Sequence, residues 1–396
     1  MRLDWLTAHL PTDAELITVV LDSTRESESG EQAVRTRWQD LRRSLQAEGA
    51  GDDALAQVDE QLSVPSHVGG RHGRVLVAGP RAVYVDRLLH QDLADSGAVV
   101  YRGPHAFPLA RVADETVRFL LVESDRSGAD ITLYDTATHE VRDTEGQTVV
   151  QGDHDELSKV RSGGAHHRRI QARVEDSWER NAETVAHELD RIVSERNPEL
   201  ILLTGDVRAV ALVQEALGSH AREITGHLEG GSRAEGVHEE AFNEKLSAAL
   251  VEFRLRRREA VLDRFRQEMG RDQAATTGLT NVVDVLRKGQ VEELVLSDAA
   301  AGPPSSLREQ RLWVGDSALQ LGTSKDEITG LGSGTAEEVR ADLALGAAVI
   351  ESGAGITVVD EASVDLVDGV GAILRWHDDA TPADTAFTLS GDTNRS

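Results

Sequence analysis

The sequence predicts a mixed α/β protein (α/β, α+β) of three domains, each with a mixed sheet and packed helices. Apolar, β-branched runs such as Leu16–Leu21 and Leu200–Thr204 are typical of buried strands. Stretches with apolar residues at every third or fourth position predict amphipathic helices. The two kinds of segment alternate along most of the chain, which favours α/β domains. A chain of 396 residues, 39% of them hydrophobic, has the length of two or three soluble domains.

Residues 1–150 are predicted to form the first domain, a sheet with few helices. Its helices are expected at 31–47 and 53–62, and two hairpins are expected at 74–86 and 116–134. From residue 135 to about 157 the chain becomes polar and acidic, and this composition places the first boundary near residue 150.

Residues 151–272 are predicted to form the central domain. Its main signal is an apolar stripe from Ile170 to Ile192, which indicates a long helix that stops at Asn197-Pro198. After this helix we expect a strand at 200–204, a helix at 207–217, a short strand at 223–227 and a second long helix at 237–269.

Residues 273–396 are predicted to form the third domain, again with alternating helices and strands. Gly289 has the position of a helix terminator after the first of its helices. The predicted segments are a helix at 279–288, a strand at 291–297, a loop at 299–307, a helix at 336–350, strands at 355–360 and 371–376, and a polar tail from 378.

The composition excludes several classes of protein. The chain has no cysteine, so disulfides, thiolate metal sites and cysteine nucleophiles are excluded, and neither a cofactor nor a metal is expected. It lacks a run of about 18 apolar residues and a signal-peptide pattern, so the protein is expected to be cytoplasmic, with no membrane partner. The formal net charge of -27 argues against a protein that coats nucleic acid, DNA included, because phosphate contacts need clustered cations.

One short stretch departs from this acidic composition. Residues 159–173 hold five Lys or Arg, two His and no carboxylate, with the pair Gly163-Gly164 before a long helix. Such a small cationic tip suits a probe that enters an RNA-lined cavity. As a plain surface loop it would leave basic residues in a first helical turn, where they oppose the helix dipole.

Three motifs, in this order, resemble the archaeal and eukaryotic class I release factor and Pelota superfamily, in its bacterial branch. They are the Gly163-Gly164 tip with its basic helix, the helix-Gly-strand-Ser-Asp segment at 278–298, and the Gly-hydrophobic-Ala-hydrophobic-Leu-Arg-aromatic segment at 369–376. The resemblance covers roughly residues 155–377, and the first domain shows only a compatible order of elements. Within that branch the resemblance implies a function like that of the ribosome hibernation factor Balon and its actinobacterial relatives.

The resemblance implies a protein that occupies the aminoacyl site of the 70S ribosome. It places the first domain at the decoding centre and the second at the peptidyl-transferase centre, near peptidyl-site tRNA, and it allows a contact of the third domain with elongation factor Tu. Release factors carry Gly-Gly-Gln at the tip, whereas this chain has Ala165 followed by His166. The resemblance therefore implies a hibernation factor that silences translation without catalysis, and not an enzyme.

The candidate contacts to rRNA or tRNA lie in two basic loops. Glycine would let the backbone approach nucleotides, arginine would bind phosphates, and histidine would stack on bases or bind phosphates. Arg71 and His72 are candidates for the decoding centre, although a hairpin loop needs no function. The tip candidates are Arg161, Gly163, Gly164, His166, His167, Arg168, Arg169 and Arg173.

Two other functions remain open from the sequence. His166 or His167 could replace the missing glutamine, which would make the protein a peptidyl-tRNA hydrolase that rescues stalled ribosomes. Alternatively, the protein could be a stress regulator that binds another structured RNA. Peptide release from loaded ribosomes separates the first alternative from hibernation, and binding to RNA without ribosomes separates the second.

Overall fold

The computed structural model describes residues 1–11, 14–24, 28–64, 71–90, 93, 96–136, 144–151, 165–231, 239–271, 274–301, 306–378 and 381. At 28–29, 136, 144–151, 165–177 and 239 it describes the backbone only. The helices are α1 Asp4–Thr7, α2 Glu28–Ala47, α3 Asp52–Ser63, α4 Ala106–Glu115, α5 Ala165–Arg196, α6 Val207–Ala216, α7 Ser219–Glu223, α8 Glu239–Arg271, α9 Leu279–Arg287, α10 Asp298–Ala301, α11 Ser306–Glu309, α12 Lys325–Gly330 and α13 Ala341–Ser352.

The strands form four sheets, and with the helices packed on them they confirm the predicted mixed α/β class. The strands are β1 Glu15–Asp22, β2 Gly73–Ala78, β3 Val83–Leu89, β4 Gly97–Arg102, β5 Val117–Asp125, β6 Gly128–Thr136, β7 Thr144–Gln151, β8 Leu200–Gly205, β9 Thr225–His227, β10 Ala275–Thr277, β11 Val291–Ser297, β12 Arg311–Val314, β13 Leu321–Gly322, β14 Glu337–Arg340, β15 Gly355–Val359 and β16 Val370–Leu374.

The chain divides into two compact units, and the predicted boundary near residue 150 does not coincide with their division. The first unit holds residues 1–115 and 256–396, and the second holds residues 116–255. The boundary predicted from polar composition falls within β7, which pairs with β6 in the second unit. The two predicted hairpins also lie in different sheets, since β2 and β3 belong to the first unit and β5 and β6 to the second. Strand pairing determines where the second unit begins, and the amino-acid composition does not predict that pairing.

The second unit is a five-stranded sheet with helices on both faces. Its order is β7-β6-β5-β8-β9, in which β5 pairs with β8 and β8 with β9 in parallel, while β6 is antiparallel to both β5 and β7. Side chains alternate along the buried strands, as the pleat requires. Leu120 and Val122 pack with residues of α5 and α6, whereas Phe119 and Leu121 pack with residues of α8.

Helix α5 ends where the sequence predicts. Its last residue is Arg196, and Asn197 then takes a left-handed conformation at φ +48° before Pro198. Asparagine tolerates this conformation better than most residues, and proline cannot continue the helix. The chain then enters β8, whose residues Leu200–Thr204 are all buried.

The first unit contains the N-terminal sheet, in the order β3-β2-β1-β4 with all pairs antiparallel. One face carries Ile17, Val19 and Leu76, which pack under α2 and α3 against Val34 and Trp38. The other face carries a row that joins the core shared with the C-terminal segment: Leu16, Val75, Val77, Val85 and Leu89. Residues predicted to form separate first and third domains therefore share one hydrophobic core.

The C-terminal part of this unit has two sheets, in the orders β10-β16-β11-β15 and β13-β12-β14. Strand β11 has the predicted bounds, and Gly289 ends the preceding helix at φ +68°. Two predictions were wrong. The helix predicted from residue 336 begins at Ala341, because residues 337–340 pair with β12 as strand β14. The loop predicted at 299–307 contains parts of the short helices α10 and α11.

A buried histidine links α4 and α13 within the first unit. The His105 side chain is 13% exposed, and its Nε2 lies 3.4 Å from Asp342 Oδ2. Burial lowers the pKa of His105 to about 4, because desolvation penalises the imidazolium more than Asp342 stabilises it. The Asp342 charge is already compensated, since Arg340 donates to both of its carboxylate oxygens at 3.0 and 2.5 Å.

This pKa predicts acid sensitivity. The unfolded chain binds a proton at His105 below pH ~6.5, whereas the folded chain does so only near pH 4, so stability falls as the pH drops through this window. We expect His105 to account for a loss of roughly 3 kcal/mol between those limits. Denaturant unfolding of wild type and of His105→Gln between pH ~6.5 and 4 measures this contribution. Both proteins keep all their carboxylates, so the difference between their pH slopes comes from His105. Equal pH slopes for the two proteins would contradict the prediction.

Candidate RNA-binding site

The predicted tip lies at the start of α5. Arg161, Gly163 and Gly164 fall outside the described residues. Ala165 is the first residue of α5, and of His166, His167, Arg168, Arg169 and Arg173 the structure describes only the helical backbone. These five candidates therefore belong to one continuous helix, which the sequence predicts for Arg168, Arg169 and Arg173. The RNA contacts of all five remain predictions.

The start of α5 is unusual for a helix in an acidic protein. Its first turn holds no acidic residue and contains His166, His167 and Arg168. Cations at a helix N-terminus are unfavourable by about 0.3–1 kcal/mol each, because they oppose the macrodipole. Among the α5 residues whose side chains the structure describes, the first in the unit's apolar core is Ala182, which lies about 25 Å along the helix axis from Ala165. Bound phosphate would offset the unfavourable charge.

The second unit has a further cluster of polar residues at the carboxyl ends of β5 and β8. The β5–β6 turn is held by Asp125, whose Oδ1 accepts hydrogen bonds from Ser127 N at 2.8 Å and Gly128 N at 3.1 Å. At the end of β8, Asp206 caps α6 and accepts from the backbone N–H groups of Arg208 and Ala209. Ligands of open α/β sheets bind outside the carboxyl ends of parallel strands, which is the edge that these residues occupy.

Trp178, on α5, lies at the same edge. The guanidinium carbon of Arg208 lies 5.5 Å from the centroid of the Trp178 ring, which is within cation–π range. Asn181 Nδ2 donates to the carbonyl of Arg126 at 3.0 Å and thereby joins α5 to the β5–β6 turn. A pocket of about 10 Å³ is lined by Arg126, Trp178 and Asn181, among others.

Sequence reasoning missed this cluster. Trp178 has the position of an apolar stripe residue, and Arg208 and Arg126 are distant from it in the chain. The cluster exists only because α5 and α6 cover the same face of the sheet. No local sequence signal could have found it.

The prediction that Arg71 and His72 both contact rRNA at the decoding centre needs a correction for His72. Arg71 is exposed, and its RNA contact stays a prediction. His72 is only 2% exposed, so the predicted contact of its side chain with rRNA does not fit this structure. The backbone explains the burial, because the His72 carbonyl accepts from Ser23 N at 3.0 Å and His72 N donates to Thr24 Oγ1 at 3.1 Å. These bonds hold the residue against the end of β1.

The described ranges contain no metal-ligand cluster and no membrane-spanning helix. No group of three or more His, Asp or Glu residues there is arranged to hold a metal ion. No helix in the same ranges has the length and apolar character needed to cross a bilayer.

The chain matches a known family in its central part. Residues 118–271 match the bacterial archaeo-eukaryotic release factor family 2. This segment contains α5, the cluster at the carboxyl ends of β5 and β8, and the whole of α8. The match supports the superfamily that the three sequence motifs predict, and it does not extend to the N-terminal and C-terminal segments.

Individual proteins give likenesses over more of the chain. The uncharacterized protein Rv2629 of Mycobacterium tuberculosis is 26% identical over 380 residues, which cover 95% of this chain and 96% of the relative. Among solved structures, Saccharomyces cerevisiae Dom34 has a TM-score of 0.40 at 11% identity, with 78% of this chain and 81% of Dom34 covered. Archaeoglobus fulgidus Pelota has a TM-score of 0.30 at 12% identity, with 95% and 92% covered.

Proposed function

We propose that the protein is a ribosome-binding translation factor of the release factor and Pelota type, which occupies the aminoacyl site and keeps the ribosome idle. The observation that carries the proposal is the match of residues 118–271 to a release factor family, because that segment includes the basic start of α5. The net charge of -27 fits a protein that contacts RNA through a restricted basic patch and is repelled elsewhere.

The tip sequence argues that binding occurs without hydrolysis. In Gly163-Gly164-Ala165-His166 an alanine takes the place of the glutamine that helps release factors position water at the peptidyl-tRNA ester. A methyl group can neither donate nor accept a hydrogen bond, so Ala165 cannot orient that water. In this proposal the protein blocks the aminoacyl site, and elongation factor Tu is a candidate partner in its delivery.

The proposal predicts no peptide release. Ribosomes that carry labelled peptidyl-tRNA should release label at the background rate in a saturating excess of the protein, with a bacterial release factor as the positive control. Release above background would support the rescue hydrolase instead. In that case His166→Ala and His167→Ala would identify which imidazole substitutes for the glutamine.

Salt-dependent co-sedimentation with purified 70S ribosomes tests binding itself. Contacts to phosphates make affinity fall steeply as the salt concentration rises. Failure to pellet with ribosomes at any salt concentration, with and without elongation factor Tu, would refute the proposal.

A further inference from the structure

We propose that Trp178 and Arg208 form a platform on which an unpaired RNA base stacks, with Arg126 binding the adjoining phosphate. This contact lies apart from the tip and belongs wholly to the second unit. The inference rests on the proposed function only for the identity of the RNA, which would be ribosomal. Its chemistry follows from the residues themselves.

The stacking argument begins with the indole ring. Trp178 is half-buried, and the exposed guanidinium of Arg208 lies 5.5 Å from the centroid of its ring. An indole face attracts a guanidinium and restricts its orientation. The plane of an arginine held in this way offers its outer face to a nucleobase, a common way in which proteins hold unpaired RNA bases. The arginine side chain then loses less conformational entropy when RNA binds, because the indole already restricts it.

Two carboxylates near this cluster accept hydrogen bonds from backbone N–H groups. Asp125 accepts from the backbone of its own turn, and Asp206 accepts from the first-turn N–H groups of α6. Arg126 is exposed, and within the described part of the chain it has no acidic partner. Arginines such as Arg191 and Arg264, by contrast, lie against carboxylates. The charge of Arg126 is therefore available to a phosphate.

A buried acceptor provides a second, independent observation. Asn181 is 4% exposed and lines the pocket of about 10 Å³ beside Trp178 and Arg126. Its Nδ2 donates to the Arg126 carbonyl, whereas its Oδ1 is buried and has no hydrogen-bond partner among the described residues. A buried acceptor left unpaired is costly, so this atom favours a donor from outside the protein. The pocket is the size of one water molecule, which could bridge Oδ1 to a ribose hydroxyl or a base amino group.

Arg208→Lys separates stacking from simple charge attraction. Lysine keeps the positive charge but lacks the planar group. If the base stacks on the guanidinium, Arg208→Lys and Arg208→Gln should both weaken RNA binding by about tenfold. Arg196→Gln is the matched control, because it removes one exposed charge near the other end of α5. Both positions are exposed, so the unfolding midpoint should not move, and this should be checked for each of the three variants.

The experiment has two arms. In the first, wild type and the three variants are co-sedimented with 70S ribosomes. In the second, fluorescence anisotropy measures their binding to a short labelled single-stranded RNA and to the same RNA annealed to its complement. The platform predicts a preference for the single strand, together with the tenfold loss for both Arg208 variants and no loss for Arg196→Gln.

The outcomes distinguish the platform from the proposed function. Ribosome binding that Arg208→Lys leaves intact would overturn the platform and leave the proposed function standing. Binding of wild type to the single strand but not to ribosomes, with loss in both Arg208 variants, would support the platform and refute the proposed function. Wild type that binds neither ribosomes nor RNA would overturn both.

Discussion

Reversing the charge at the start of α5, with Arg168→Glu and Arg169→Glu together, is expected to weaken binding to the 70S ribosome by at least about 3 kcal/mol, roughly a hundredfold. Two cations that meet phosphates would become two anions that repel them. The salt dependence should also become shallower, by about two in the slope of log K against log salt concentration, because two phosphate contacts are lost. Co-sedimentation across a salt series measures both quantities.

A matched control separates this local effect from the change in net charge. Arg191→Glu with Arg196→Glu makes the same change of four charge units on the same helix, near the end at which α5 meets Asn197. The Arg191 ion pairs with Glu188 and Glu195 are exposed, and such pairs contribute little to stability. Equal losses in the two double variants would indicate general electrostatic repulsion and would remove the tip from the mechanism.

Replacing Gly205 with alanine is expected to destabilise the second unit by at least about 3 kcal/mol, because backbone strain and steric overlap add together. Gly205 ends β8 at φ +116°, a conformation that residues with a side chain rarely adopt. A Cβ atom at this position would overlap the backbone oxygen of Ser124, its partner in the parallel β5–β8 pair. That oxygen also accepts the hydrogen bond from Asp206 N at 2.9 Å, so the edge beneath the Trp178–Arg208 platform would be distorted.

Gly49→Ala provides the control for the conformational part of this loss. Gly49 has φ +97°, and a Cβ there would meet no atom within 4 Å. Its substitution should cost only about 1–2 kcal/mol. Denaturant unfolding followed by far-ultraviolet circular dichroism gives both values. Similar losses at the two glycines would show that the close approach to Ser124 contributes nothing.

Most of the longer helices and most strands could be predicted because their signals are local. The stripe from Ile170 to Ile192 and the stop at Asn197-Pro198 gave the end of α5 to within a residue. Strand β11 and the glycine before it were predicted in the same way. The elements that were missed include α4, whose residues are almost all buried, and the short strand β14.

The division into units could not be predicted, because it depends on which strands pair. A polar, acidic stretch suggested a boundary near residue 150, yet β7 lies there and pairs with β6. The N-terminal and C-terminal segments join one core although more than a hundred residues separate them. The composition of either segment does not predict a hydrophobic contact with a segment so far away in the chain.

One part of the candidate site could be predicted from the sequence, and another part is visible only in the structure. The sequence by itself determined the basic tip and its missing glutamine, because these depend only on which residues follow one another. Only the tertiary structure decided that His72 is buried against β1, and that Trp178 belongs with Arg208 and Arg126. The physical reason is that burial and stacking depend on what packs across the sheet, and helices α5 and α6 meet there through residues far apart in the chain.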